Sequence, residues 1–153
     1  HAKPVPTQLE AEGWQLEERT SGDLVHNLDL GNRGAYQIRL RLEPDGHLRA
    51  WSAVLPEREL AQVSRRALGI LLARANDQLR FVRGAGYRNQ GRESVHFEVV
   101  QRTPFCPEQI KLMLTSLTAA CWKCGPEIRL LDGPDVAQRY LKSSGAAQRM
   151  HAL

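Results

Sequence analysis

From residue 24 onward, the chain alternates apolar and polar side chains with a period of two, three times over. In residues 24–30, Leu24, His26, Leu28 and Leu30 fall on one side, with Val25, Asn27 and Asp29 on the other. In residues 36–42, Tyr36, Ile38, Leu40 and Leu42 oppose Gln37, Arg39 and Arg41. In residues 48–55, Leu48, Ala50, Ser52 and Val54 oppose Arg49, Trp51, Ala53 and Leu55. Successive side chains of a strand point to opposite faces, so each segment reads as a strand with one buried and one wet face, as antiparallel pairing allows. The connectors Ser21-Gly22-Asp23, Asn32-Arg33-Gly34 and Pro44-Asp45-Gly46 are turn formers, and they are too short for parallel crossovers. The block therefore predicts a meander, with a weaker strand expected at 14–19.

The period then changes. A helix is expected from Pro56 to about Asp77, because Leu60, Val63, Ala67, Leu68, Ile70, Leu71 and Ala75 fall mostly at helical spacing. Residues 80–87, interrupted by Gly84 and Gly86, predict a bulged or edge strand. Residues 92–101 alternate again and join it as a hairpin through Asn89-Gln90-Gly91. After Pro107, the residues Ile110, Met113, Leu114, Leu117 and Cys121 form one helical stripe, which Gly125-Pro126 is expected to stop. A short last helix is expected at 135–142, and a one- or two-turn helix at 7–12, with Thr7 as N-cap and Gly13 at its end. The reading is one α+β domain over 7–142. An antiparallel meander and a hairpin pack against helices in the order α-β-β-β-α-β-β-α, with flexible termini at 1–6 and 143–153.

With this order on the page, the chain resembles the YbjN family, whose fold is like that of type III secretion chaperones. The likeness spans about residues 7–131. It is carried by the three meander strands and by the helix end Leu72-Ala-Arg-Ala-Asn-Asp-Gln-Leu79. It continues in Arg80-Phe-Val82, the strand Ser94-Val-His-Phe-Glu-Val-Val100 and Pro107-Glu-Gln-Ile-Lys-Leu-Met-Leu114. The resemblance implies a bacterial homodimer without enzymatic activity, whose surface receives segments of other proteins. Secretion chaperones of this fold are typically acidic, whereas this chain carries a net charge of +4. That difference argues against the secretion role itself.

Composition adds little that is specific. At 153 residues, with 42% hydrophobic and 25% charged positions, the chain has enough apolar surface for a core of its own. Seventeen arginines against four lysines suit bidentate contacts with carboxylate or phosphate, although a GC-rich genome also inflates arginine. The longest apolar run, Ala67 to Ala73, contains a glycine and is far short of a membrane span. The first residues, His-Ala-Lys-Pro-Val-Pro, lack the plan of a signal peptide. The three cysteines form no secreted disulfide framework. The cytoplasm is the expected compartment.

Cys121-Trp-Lys-Cys124 is the one motif with a chemical name. A redox pair needs a helix N-terminus to stabilise its thiolate. Here the pair falls at the expected C-terminal end of a helix and on its apolar stripe, so core packing is the better reading. Cys106 and His96 supply no second close pair for zinc, and no metal, cofactor or catalytic residue is assigned. His26, beside three leucines, reads as a buried, hydrogen-bonded histidine. The polar side of the meander carries more. Arg39, Arg41, Arg49 and Trp51 project together, a usual composition for a protein interface, and Trp122 offers a second anchor just off the helix stripe. The expected function is a dimeric, chaperone- or adaptor-like binding module for another protein, one that itself handles nucleic acid. Direct nucleic-acid binding by the basic face ranks second, and thiol redox chemistry at Cys121 and Cys124 third.

Overall fold

The computed structural model describes residues 14–102 and 106–144. The expected helix at 7–12 and nearly all of the two expected flexible ends lie outside these residues. The strands are β1 (Glu17–Glu18), β2 (Leu24–Asp29), β3 (Ala35–Leu42), β4 (Leu48–Arg58), β5 (Arg83–Asn89) and β6 (Arg92–Gln101). The helices are α1 (Gln62–Gln78), α2 (Pro107–Leu130) and α3 (Pro134–Ser143), and a single 3-10 turn spans Gly31–Arg33. The six strands form one antiparallel sheet in the order β1-β2-β3-β4-β6-β5. The α+β meander-and-hairpin architecture read from the pattern is the one observed.

The helices stack on the face carrying Ile38, Leu40, Leu48 and Phe97, all buried, and meet them with Ile110, Leu114, Leu117 and Ile128. α2 crosses β3, β4 and β6, α1 lies against β5, and α3 packs on α1. β5 is an edge strand, as its glycines suggest. Gly84 lets α1 approach, since a Cβ there would sit 2.8 Å from Leu72 and 3.0 Å from Phe97. Asn76 of α1 caps the strand's backbone: Gly84 N–H donates to its Oδ1 at 2.8 Å, and its Nδ2 donates to the Gly84 carbonyl at 2.9 Å. The hairpin turns through Gln90 and Gly91, both with positive φ (52° and 77°).

Four boundaries differ from expectation. The weak first strand shrinks to two residues, and β5 begins at Arg83 instead of Arg80. Pro56 does not open a helix: β4 runs past it to Arg58, and α1 starts at Gln62. Pro56 falls in a register shift between Leu55 and Arg58, where the ladder to β6 is interrupted and a missing N–H costs no pairing. A second shift, between Ala53 and Leu55, turns both Val54 and Leu55 into the core, so Leu55 does not share a face with Trp51.

The fourth difference is α2, which continues through Gly125-Pro126 to Leu130. Proline removes the N–H that would bond the carbonyl four residues back, Trp122. The Arg33 guanidinium supplies the lost donor, with Nε bonding the Trp122 carbonyl at 2.9 Å and Nη2 bonding the same oxygen. Gly125 faces the Tyr36 hydroxyl so closely that a Cβ would lie 2.1 Å from it. Tyr36 is locked in turn, donating to the Arg33 carbonyl at 2.7 Å beneath the Arg129 guanidinium. The Cys121–Cys124 pair therefore sits within the helix and not at its end.

Candidate binding surface

No described element covers the far side of the sheet. Its register lines up one row across all six strands: Glu17, Val25, Arg39, Trp51, Glu98 and Arg83. A neighbouring row runs Arg41, Arg49, Val100. The alternation that put Leu40 and Ala50 inward necessarily put these residues outward. Arg39, Arg41, Arg49 and Trp51 thus come together, as the sequence predicts.

Their environment is not the bare basic face that the sequence suggests. Trp51 is only 9% exposed although no described helix lies on it. The guanidinium groups of Arg49 and Arg41 lie 4.5 Å and 5.1 Å from its ring centre, a cation–π arrangement. Asp23, buried beside them, accepts Arg41 Nε at 2.6 Å and Nη2 at 2.9 Å, with Arg39 Nη1 at 3.5 Å. The Arg41 hydrogen bonds hold the Asp23 carboxyl below the usual range against the opposing effect of burial. Arg49 Nη2 donates to Glu98 Oε2 at 3.1 Å, and the Tyr87 hydroxyl donates to the same oxygen at 2.7 Å. Burial first, and that bond to Glu98 second, push the Tyr87 phenol up. His96 stacks 4.7 Å from Tyr87; its Nδ1 is buried without a hydrogen-bond partner, and burial and Arg49 push its pKa down.

This surface is a lattice of arginines pinned by two carboxylates over a tryptophan floor. The arginine side chains stay 37%, 42% and 26% exposed at positions 39, 41 and 49, so their remaining N–H groups can meet a partner. The sequence singles out none of Asp23, Tyr87 and Glu98, and it weighs His96 only as a zinc ligand. Glu98 and His96 belong to the wet side of an alternating strand, but nothing local says that β6 lies beside β4.

Trp122 is elsewhere. It stands half exposed on α2, on the helical side of the molecule, with Arg33 over its ring at 5.3 Å. It shares no surface with Trp51. His26 is half buried, donates from Nδ1 to the Gln15 carbonyl (2.9 Å) and meets Trp14 edge-on. Cys121 and Cys124 are buried free thiols, and burial pushes the Cys121 thiol up to about 11, the reverse of a redox nucleophile. Among the described residues, no three His, Cys, Asp or Glu side chains gather as a metal site, and no helix is long and apolar enough to cross a membrane.

No family model matches the sequence, and no curated protein matches it. Among solved structures, the chain is similar to YbjN from E. coli, described as a proposed transcription regulator. The similarity has a TM-score of 0.61 and 11% identity, covering 82% of this chain and 88% of that one. At that identity the likeness speaks for the architecture alone. The fold of this chain is YbjN-like.

Proposed function

We propose that the chain is a non-enzymatic, chaperone- or adaptor-like module that works as a homodimer and binds an acidic surface of another protein through the sheet face opposite the described helices. The observation that carries this is the arginine lattice around Trp51. Asp23, Glu98 and the indole hold three guanidinium groups in place before any partner arrives. Ordering long side chains is a main cost of association, and here it is met within the fold. The same carboxylates neutralise part of the charge that phosphate tracking would use, which favours protein over nucleic acid. The description of YbjN as a proposed transcription regulator supports a partner that itself handles nucleic acid. Three free thiols support a reducing compartment, the cytoplasm.

The test is capture from native-cell extract with the wild type and an Arg39→Gln, Arg49→Gln double variant, read by quantitative mass spectrometry. We expect a small set of proteins with acidic surfaces to be depleted at least several-fold by the double variant. Equal recovery of every protein would remove the sheet face as the site. Tight oligonucleotide binding that weakens steeply with salt would replace a protein partner with nucleic acid.

A further inference from the structure

α3 packs on α1 and hardly on α2, which leaves a hollow of about 290 Å³ between the end of α2 and α3. Its walls are apolar: exposed Leu130 and buried Leu131 on one side, Val136 and the Tyr140 ring on the other. Two charges complete the lining, Glu127 from α2 and Arg139 from α3. Both are exposed, and neither makes an ion pair among the described residues, with each other or with a third group.

Glu127 is poorly placed for stability. It lies in the last turn of α2, where the negative end of the helix disfavours a carboxylate. The surrounding cations are occupied or turned elsewhere. Arg129 bonds the Val54 and Ala35 carbonyls and lies over Tyr36. Arg74 bonds the Tyr140 hydroxyl and the Ser144 carbonyl, and with Lys123 it lines a second hollow beyond Tyr140. An acid kept at the wrong end of a helix, opposite an uncommitted guanidinium and over a greasy floor, is suited to a ligand that carries both charges. We propose that this hollow binds a free amino acid with an apolar side chain. Its ammonium meets Glu127, its carboxylate takes two N–H groups of Arg139, and its side chain lies on Leu130, Leu131 and Val136. A fatty acid would set its carboxylate against Glu127 with no cation to answer it, and an amine would leave Arg139 without an anion. The site lies on the helical side of the molecule and does not rest on the protein-binding reading of the sheet face. Its charges stay wet, so binding should be weak, in the sub-millimolar range.

Titration of the isotope-labelled full chain with L-leucine, followed by amide NMR shifts, tests this. Saturable shifts are expected at Leu130, Leu131, Val136 and Arg139. Leucinamide, which lacks the carboxylate, and 4-methylpentanoate, which lacks the ammonium, should each bind at least about tenfold more weakly. Glu127→Gln and Arg139→Gln should each weaken leucine binding by at least about tenfold. Glu127→Gln should also keep or raise the thermal midpoint of the ligand-free chain, because it removes a charge the helix end disfavours. No saturable shift up to about 10 mM leucine would overturn the site. So would 4-methylpentanoate binding as well as leucine, since the hollow would then be an anion site. A lower thermal midpoint for Glu127→Gln would show the carboxylate already partnered in the fold and would overturn it as well.

Discussion

Asp23 is the residue on which the sheet face depends most. It is 1% exposed and receives two arginines. Asp23→Ala removes the acceptor and leaves Arg39 and Arg41 without the carboxylate they share. A loss of about 2 kcal/mol is expected by chemical denaturation. Because the carboxyl is held below its ordinary value of 3.8, its contribution is complete above that pH and is lost as pH falls through the lower folded value. His96 acts in a higher window. Its folded pKa lies below 6.5, so the unfolded chain binds the extra proton and stability falls as pH drops below 6.5. His96→Gln should flatten that part of the stability–pH profile while leaving the acid limb governed by Asp23; an unchanged profile would show that another group titrates there.

At the scale of elements, α2 shows how one side chain can replace a backbone donor. Pro126 leaves the Trp122 carbonyl without its helical partner, and Arg33 fills the place from the turn before β3. Arg33→Ala should cost about 1–3 kcal/mol. In a Pro126→Ala background, where the helix regains its own N–H, the same substitution should cost clearly less. Equal costs in both backgrounds would mean that Arg33 stabilises mainly by lying over Trp122. The helix also seals its thiols. Of the three cysteines only Cys106 is exposed, and the Cys121 thiol is pushed up to about 11. A thiol-specific reagent at neutral pH should modify one cysteine in the native chain and three after denaturation. Rapid reaction at Cys121 would reopen a redox role for the pair.

For the whole molecule, much of the architecture was legible in the pattern of residues. Period-two alternation marked β2, β3, β4 and β6, and the stripe from Ile110 to Cys121 marked α2, because both periods follow from local backbone geometry. The outward direction of Arg39, Arg41, Arg49 and Trp51 came with them at no extra cost, since a residue's parity on a strand sets its face. Local signals failed where a distant residue decided the outcome. Pro56 reads as a helix start and Pro126 as a helix stop. A break in the β4–β6 ladder accommodates the first, and Arg33, 93 positions earlier in the chain, accommodates the second. What tertiary structure alone decided is which strands are neighbours and which charges meet. β6 lies between β4 and β5, which sets Glu98 beside Trp51 and Arg49, and the turn before β2 sets Asp23 under Arg41. Those contacts turn a row of cations into a pinned lattice. Contacts between residues far apart in the chain carry no periodicity for a sequence to display, because they depend on how separately formed elements pack.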